Sequence, residues 1–569
     1  MKTSILSISL LLIGVVGAQE EKPKGFNNSS RNVVSGTDIR LLPASKILIE
    51  PLIPQTQTPK ITVKFETPQV LWKTEKMLNT VEPEFVKEQS QDSTYLANYL
   101  RAGGGNNGHL IGELFLSNRP NSLWAYNFSA LHFQANNPIQ NQALSNTRIQ
   151  MNGARFFKRS SLSTELFYHR DFHTFYNADS SISENNGDIS RLNSEGKITQ
   201  NYGVNINYKL LPGGRKPDIQ WLNTAQIFET NINQTEQELN STLRFLTRAR
   251  KFSVYGDLSF DYLGFNQGLE SGQSFQSSQI FLDFKPRIQF FHKATNLDVK
   301  AGFNVTYNNN TNDTSKGFFV NPYLYAEKGI KGLEMSAYGG IDGGLQKNSI
   351  RRIHNQMPFF SENMTISNAF EQINGYFGLK GKISSKSLFN VDFGGNVISN
   401  QMMFASAIDT NARAMDSLNP LRVAYNDISS MYFRIGAEYI VGEKLKVGAK
   451  MRLNNFSADN DVWHIPTLTY NANITTTPIE SLMIEVGING TGRRYNQVLA
   501  FYENSNEHYL KSVAIDGIMN LYTRIDYRFT GKGRIWVQGT NLLNKKYQDF
   551  YGFTTYGLSL MGGISLGLF

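Results

Sequence analysis

Strict alternation of apolar and polar residues is the feature of this sequence that most limits its fold. Leu445, Val447, Ala449, Met451 and Leu453 are apolar, and the residues between them are polar or small. Successive side chains of a strand lie on opposite faces, so this run has one dry face and one wet face. An amphipathic helix needs apolar residues three and four positions apart, and the run lacks that spacing. The pattern therefore predicts a β-strand.

The same alternation recurs from Thr94 to the carboxyl end. We count about 22 such segments, and most have at least the ~9–11 residues with which a tilted strand crosses a bilayer. A run from Phe433 to Tyr439 is joined to the strand above by a hairpin turn at residues 441–444. Further clear runs lie at residues 204–210, 389–393, 482–488 and 521–529. The chain is predicted to be nearly all β.

The lengths of the connections predict how these strands are arranged. Short turns are expected after every second strand, at residues 119–121, 159–160, 212–217, 250–251, 327–332, 384–387, 442–444, 477–480 and 530–533. Long polar connections are expected between them, at residues 177–196, 347–370, 406–426 and 496–512. Outer-membrane barrels have this rhythm, with both termini at the periplasmic, short-turn end, whereas sandwiches and propellers give no reason for it. The sequence thus predicts a transmembrane antiparallel β-barrel of about 22 strands.

The amino-terminal 92 residues follow other rules. An uncharged apolar run from Ile5 to Val16 precedes the small residues Gly17 and Ala18, which predicts a signal peptide over residues 1–18. The run is too short for a membrane anchor. Residues 19–92 are rich in proline, which disfavours sheets and helices, so they are expected to form an extended periplasmic arm with one short strand near residues 61–65. The barrel is expected over residues 93–569.

The composition excludes several classes of protein. The chain has no cysteine, so it offers no disulfide, thiolate metal site or lipidated cysteine. Beyond the signal, no apolar stretch reaches the roughly 18–20 residues of a spanning helix. The net charge is +9, but no run of lysine and arginine could follow a phosphate backbone, so no nucleic-acid partner is expected. A lumen or rim that favours anions stays an open alternative.

No constellation of residues predicts catalysis or a cofactor. His169 and His173 share a strand face but would stand roughly 13 Å apart, too far for one metal ion. The glycines at residues 103–105 are followed by an alternating strand and not by a helix, so a hairpin connection is expected there and not a phosphate loop. No nucleophile motif appears, and we expect a protein that is not an enzyme. A hydrolase embedded in the barrel is neither supported nor excluded.

Two long connections carry apolar and aromatic residues where exposed loops would prefer polar ones. Phe359 and Phe360 lie in the connection at residues 347–370, and Phe501 and Tyr502 lie in that at residues 496–512. Binding residues concentrate on loops held by a rigid scaffold, so these four are candidate contacts for a ligand or partner. The alternative is that the loops fold inward and pack on one another in the barrel mouth.

The carboxyl end resembles the last hairpin of TonB-dependent receptors, most closely their Bacteroidota-type members. The resemblance is carried by Asn541, Leu542, Asn544 and Tyr547 in the stretch Asn-Leu-Leu-Asn-Lys-Lys-Tyr, and by a last strand that ends at Phe569. It covers residues 94–569 and implies a 22-stranded transport barrel. The family also has a folded plug domain that fills the lumen, and the 19–92 segment is too short and proline-rich for it. A plugless relative is therefore expected.

The last strand departs from the family in one respect. Leu560, Ile564 and Leu566 share one face, so Phe569 falls on the opposite face, whereas receptors place the terminal aromatic residue in phase with the lipid face. A register shift or a bulge near residues 562–563 is expected to explain this.

Together these observations predict a receptor-like barrel of the outer membrane, without a plug, that binds a solute or lets it pass. The alternative is a structural subunit of a larger outer-membrane complex for assembly, secretion or surface export, which would dock partners through the arm. The expected partners are outer-membrane lipid, the assembly machinery through the carboxyl-terminal strand, and other envelope proteins.

Overall fold

The computed structural model describes the chain from Asn98 onward. The described residues are 98–118, 123–137, 142–174, 196–210, 216–249, 252–268, 274–309, 317–359, 366–384, 386–406, 421–442, 444–458, 462–501 and 508–568. The predicted signal peptide, the proline-rich arm and its short strand at residues 61–65 lie outside them. No helix among the described residues is both long and apolar enough to cross a membrane.

Twenty-two antiparallel strands form one sheet. They are β1 (Tyr99–Gly105), β2 (Leu110–Ser117), β3 (Trp124–Asn137), β4 (Gln142–Phe156), β5 (Ser160–His173), β6 (Lys197–Leu210), β7 (Asp218–Thr230), β8 (Gln234–Arg248), β9 (Phe252–Gly268), β10 (Ser274–His292), β11 (Leu297–Asn308), β12 (Gly317–Gly329), β13 (Met335–Gln346), β14 (Ala369–Ser384), β15 (Ser387–Ser406), β16 (Leu421–Val441), β17 (Leu445–Ala458), β18 (Leu468–Ile479), β19 (Leu482–Thr491), β22 (Ile518–Arg528), β23 (Gly533–Thr540) and β26 (Ser559–Gly567).

The remaining elements lie in connections between the barrel strands. They are a helix, α1 (Ile350–Gln356), a hairpin of β20 (Arg494–Phe501) and β21 (His508–Ile515), and a small pair of β24 (Gln548–Phe550) and β25 (Phe553–Thr554).

The sheet closes on itself because the first strand pairs with the last. β1 pairs antiparallel with β26 from Tyr99↔Gly567 to Gly105↔Met561, and every other barrel strand pairs with its neighbours along the chain. In a bilayer no water is available to unpaired backbone groups, and closure removes the two edges that would expose them. The predicted 22-stranded antiparallel barrel is confirmed.

The two ends of the barrel differ as the connection lengths predict. The strand ends that flank every short turn expected from the sequence lie at one end, which we call the short-turn end, together with both ends of the described chain. The barrel strand ends that flank the four long connections lie at the other end, the long-loop end. Short and long connections alternate less strictly than predicted, since the turns at residues 106–109 and 231–233 are short and lie at the long-loop end. The stretch at 496–512 is largely the β20–β21 hairpin and not an irregular loop.

The outer surface of the barrel is apolar. In the hairpin of β16 and β17, the apolar runs predicted from the sequence face each other as Phe433↔Leu453 and Ile435↔Met451. More than fifty large apolar side chains are exposed on the described residues, far more than a water-soluble surface carries. Exposed aromatic side chains ring the short-turn end, as in the girdles of membrane barrels. They include Trp124, Phe157, Trp221, Phe252, Phe290, Tyr439, Tyr527 and Phe529.

Two sequence expectations about the closing strands are wrong. Gly103, Gly104 and Gly105 do not form a connection: they lie in β1, and the turn that follows begins at Asn106. No bulge lies in the described part of the last strand either, because Ser559–Gly567 pairs without interruption with both β1 and β23. Phe569 itself lies outside the described residues.

The glycines of the closing strands make room for one buried tryptophan. Trp536 of β23 is only 1% exposed, and its indole lies against β1 and β26. A Cβ on Gly103 would stand 2.3 Å from the Trp536 ring and 2.6 Å from the carbonyl oxygen of Gly562. A Cβ on Gly563 would stand 2.0 Å from the carbonyl oxygen of Ala102. Only glycine allows the strands and the indole to approach this closely.

We expect Gly103→Ala to weaken the closing strands. The added methyl group must displace the indole or the paired backbone, and such overpacking costs about 1–3 kcal/mol. The measurement is the temperature at which the folded barrel loses its faster electrophoretic mobility in detergent. Gly112→Ala in β2 is the matched control, since a Cβ there meets nothing within 4 Å. Equal midpoints for the two variants would contradict the role assigned to Gly103.

Candidate functional site

The connection between β13 and β14 folds into a helix at the long-loop end. Helix α1 has Ser349 as its N-cap, and the Ser349 hydroxyl accepts a hydrogen bond from the backbone N–H of Arg352 at 3.2 Å. At the other end, the Met357 N–H donates to the Ile353 carbonyl at 2.8 Å. These caps satisfy backbone groups that a short helix otherwise leaves open.

Carboxylates on the inner faces of three strands hold this helix to the barrel wall. Lys347, just before α1, forms ion pairs with Asp261 of β9 and Asp283 of β10. Arg351 donates to a Glu238 oxygen at 2.6 Å. A Glu236 oxygen accepts from the backbone N–H of Ile350, also at 2.6 Å. Glu236 and Glu238 lie two residues apart on β8 and therefore share a face. Their contacts with α1 show that this face points inward.

The apolar side of the helix is fully covered. Ile350, Ile353 and Met357 are 0% exposed, and the adjoining Phe359 is 8% exposed. The Phe359 ring stacks on Phe553, with centroids 4.0 Å apart and 11° between the planes. We call the buried residues of this group the mouth cluster. Its members are Phe228, Phe265, Ile350, Ile353, Met357, Phe359, Met402, Phe404, Phe550 and Phe553.

The mouth cluster joins widely separated parts of the wall. Phe228 and Phe265 belong to β7 and β9, Met402 and Phe404 belong to β15, and Phe553 belongs to the connection between β23 and β26. In the closed ring at least five strands separate each of these three parts from the next. Side chains from such distant strands meet only where an element reaches into the lumen. The connection carrying α1 therefore extends inward and obstructs part of the passage.

A second set of contacts ties three further connections together. His464, between β17 and β18, makes a 2.8 Å hydrogen bond through Nε2 with the amide oxygen of Asn496 on β20. Arg494 of β20 donates to the backbone carbonyls of Asp549 at 2.6 Å and Gln548 at 2.7 Å. The His464 ring also packs against Phe550 of the mouth cluster. The β20–β21 hairpin is thus fixed to the same group of loops.

Burial shifts the pKa values of three ionisable groups in these connections. The pKa of His464 is lowered to about 3 by burial and by the nearby positive charge of Arg494. Burial raises the pKa of the Asp549 carboxyl, although Arg494 acts in the opposite direction. Burial would lower the pKa of Lys347, but Asp283 and Asp261 outweigh it and leave that pKa raised. Lys347 therefore stays charged at neutral pH, and His464 stays neutral.

The motif residues at the carboxyl end organise the connection after β23. The Asn541 side-chain amide donates to the carbonyls of Lys545 at 2.6 Å and Tyr556 at 2.9 Å. The Asn544 side-chain oxygen accepts from the backbone N–H of Leu558 at 2.8 Å, next to β26. Both asparagines adopt positive φ, which asparagine tolerates better than most residues. They shape the turn that places Phe550 and Phe553 in the mouth cluster.

The other two described motif residues attach this turn to β22. The Leu542 N–H donates to the Leu521 carbonyl at 2.9 Å, and the Tyr547 hydroxyl donates to the Met519 carbonyl.

Of the four residues predicted as loop contacts, only Phe359 has a described side chain. Phe359 lies in the mouth cluster, whereas Phe360 and Tyr502 lie outside the described residues. Phe501 ends β20 and pairs with His508, and its side chain is not among those described. Contact of these four residues with a ligand or partner stays a prediction.

The sequence analysis missed the charged anchors of α1. A usable signal was present, because Glu236 and Glu238 alternate on the polar face of one strand while a later connection carries Lys347 and Arg351. Alternation alone does not indicate which distant strands face that connection.

No group of histidine and acidic side chains suited to a metal ion occurs among the described residues. His169 packs beside Phe167 on β5, and His173 makes an edge contact with Phe359. The two histidines thus have different neighbours on the inner wall.

Comparison with known proteins identifies the fold. No family model and no curated protein matches the chain. The chain is similar to the siderophore receptor PirA from Acinetobacter baumannii, with 10% identity over 83% of this chain and 80% of that one and a TM-score of 0.62. It is also similar to the FrpB iron transporter from Neisseria meningitidis, with 10% identity over 83% of this chain and 81% of that one and a TM-score of 0.62. The ferripyoverdine receptor of the Pseudomonas aeruginosa outer membrane is 12% identical over 83% of this chain and 71% of that one, with a TM-score of 0.59.

At these identities the likeness shows the fold alone. The chain has the 22-stranded barrel fold of outer-membrane transporters and receptors, as the resemblance at its carboxyl end implied. The Bacteroidota type and the missing plug stay predictions.

We expect Lys347→Ala to loosen α1 without unfolding the barrel. The substitution removes the cation that Asp261 and Asp283 share and leaves only Lys285, 4.0 Å from Asp283. Losing one member of a buried pair is strongly destabilising. The backbone amides of residues 350–357 should exchange with deuterium at least about ten-fold faster, which corresponds to ~1.4 kcal/mol. Lys331→Ala, at an exposed position of the short-turn end, should leave this exchange unchanged. Slow exchange in both variants would rule out Lys347 as an anchor.

We expect acid to release the connection that holds His464. Its pKa is about 3 when buried and near 6.5 when exposed, so the opened form binds more protons between these values. Its stabilisation is present above pH 6.5 and is lost as the pH falls towards 3, by up to about 1.4 kcal/mol per unit. The probe is the fluorescence of neighbouring Trp463, obtained by subtracting the spectrum of Trp463→Phe.

His464→Gln keeps a donor for Asn496 but cannot gain a charge, so it should flatten this pH dependence. The raised pKa of Asp549 acts in the opposite direction in both proteins and cancels in the comparison. An unchanged acid response in His464→Gln would show that another group is responsible.

Proposed function

We propose that this protein is an outer-membrane barrel, exported by a signal peptide at residues 1–18, that binds a solute at the long-loop end and governs its passage. The observation that carries the proposal is the mouth cluster, which joins three separate parts of the ring through a helix held by ion pairs. A barrel used only as a membrane anchor has no need of such a closure. The transporters and receptors that share the fold support the assignment.

We also propose that the barrel works without the family plug. Its support is the sequence of residues 19–92, which is rich in proline and lacks the glycine-punctuated strands of a plug. The closure would then be divided between the mouth cluster and the arm. TonB has no assigned part in this proposal, because the motif that TonB grips belongs to the plug.

Replacing a buried residue of α1 tests the closure. Ile353→Asp places a carboxylate among apolar side chains without a partner, which the folded helix tolerates poorly. We expect the purified variant to conduct steadily in planar bilayers and its host to become sensitive to large antibiotics, whereas the parent protein stays nearly silent. Asn355→Asp is the matched control, since Asn355 lies in the same helix but is half-buried. Equal conductance in all three proteins would refute closure by α1.

Deleting residues 19–90 tests the arm separately. If the arm closes the lumen, antibiotic permeability rises in this deletion while the mouth cluster is intact. Unchanged permeability would remove the arm from the closure and leave α1 as the proposed barrier. Mass spectrometry of proteins that co-purify in mild detergent completes the test. A silent barrel in a defined stoichiometric complex, with no response to Ile353→Asp, would favour the structural-subunit alternative.

A further inference from the structure

Arg155 is a charged residue on the lipid-facing surface of the barrel. It lies at the end of β4, where it pairs with Trp124 of β3 on one side and with Leu162 of β5 on the other. Met151, four residues earlier on the same face, is 53% exposed. Residues four apart on a strand share a face, so Arg155 points away from the lumen, at the edge of the apolar belt next to the short-turn end.

Two aromatic rings hold the guanidinium group in place. The Arg155 Cζ atom lies 4.8 Å from the centroid of the Trp124 ring and 5.1 Å from that of Phe157. The rings themselves are about half exposed, at 47% and 48%. Aromatic faces attract a cation and favour a flat guanidinium, which leaves its N–H edge available for an oxyanion.

Among the described residues, no acidic side chain forms an ion pair with Arg155. Two inward-facing arginines of the barrel pair with carboxylates, Arg434 with Asp392 and Arg524 with Asp526, both at 2.6 Å. Around Arg155, by contrast, the described residues place no carboxylate within 4 Å, and the cross-strand neighbours are tryptophan and leucine. With aromatic but no acidic neighbours among the described residues, the exposed Arg155 guanidinium is available to an anion from outside the chain.

The surrounding turns add further positive charge. Lys158 and Arg159, directly after Phe157, are exposed and form no ion pair with any described residue. Other exposed lysines in the described part of the short-turn end outnumber its exposed acidic residues, Glu334 and Glu480. They are Lys216, Lys293, Lys328, Lys331, Lys386, Lys444, Lys446 and Lys532. This end of the barrel thus favours anions at the level where the apolar belt stops.

We propose that Arg155, Trp124 and Phe157, with Lys158 and Arg159 in the adjoining turn, form a binding site for an anionic phospholipid. The guanidinium binds the headgroup phosphate through its N–H edge, and the turn residues supply the remaining positive charge. The acyl chains lie along the apolar surface that includes Met151 and Leu162. A soluble anion would use the charges but not this apolar surface, so the site fits a lipid better than free phosphate.

The proposal rests on the membrane location proposed above and not on solute passage. Native mass spectrometry of the full-length protein, released from mild detergent, measures its binding of phosphatidylglycerol and, separately, of phosphatidylethanolamine. We expect the parent protein to prefer phosphatidylglycerol. Arg155→Gln should weaken that binding about five-fold, the value of one interfacial cation. Arg155→Lys should be intermediate, because an ammonium keeps the charge but not the flat fork.

Lys293→Gln, at an exposed turn position of the same end, is the control and should bind as the parent does. All variants are first checked for the heat-dependent mobility of a closed barrel, so a loss of folding is recognised. Unchanged lipid binding in Arg155→Gln would overturn the proposal, as would equal binding of the two lipids by the parent. Displacement of the lipid by an equal concentration of inorganic phosphate would show a site for free phosphate instead. The conductance of Ile353→Asp tests the closure independently of every one of these results.

Discussion

Pairing of the first strand with the last is the contact on which the rest of the structure depends. Each backbone N–H and C=O at membrane depth must find a partner within the protein, and a sheet achieves this only by closing. The strands that meet there are short, with seven residues in β1 and nine in β26. Their glycines allow the backbones and the Trp536 indole to approach one another. Small residues at this pairing therefore hold a large ring closed. The register of the pairing determines which face of each strand points to the lipid and which to the lumen.

Closure of the ring creates the problem that the mouth cluster addresses. A 22-stranded ring encloses a lumen wide enough for solutes that an outer membrane must exclude. The wall alone cannot fill it, because inward side chains of opposite strands do not reach one another. A connection that bends inward can do so, provided that the wall offers contacts that offset the loss of chain entropy. The wall supplies these contacts through inward carboxylates on β8, β9 and β10, which pair with the cations of the α1 connection.

The sequence predicts the barrel well because the signal is local. Alternation assigns each strand residue to a face, and connection lengths assign each strand end to a side, so Phe433 opposite Leu453 follows from two hydrophobic runs and a turn. The candidate site is harder to predict from the sequence, because its contacts join residues that are far apart in the chain. Nothing near Lys347 points to Asp261 or Asp283 on strands completed long before it. The glycines at residues 103–105 misled for a related reason: read alone they resemble a turn, and only pairing with β26 shows why a strand needs them.

Under the proposed function, the energetics of the mouth cluster favour solute binding before passage. Burying an aliphatic or aromatic side chain contributes about 1.5–3 kcal/mol, and opening α1 would expose several such side chains and separate its ion pairs. Even a net cost of about 3 kcal/mol, after the freed loop regains its entropy, holds the open form below about one molecule in a hundred. A solute with equal affinity for both forms would leave this ratio unchanged however tightly it bound. Passage therefore requires either a solute that replaces the contacts of α1 with its own, or a partner that withdraws the connection from the lumen.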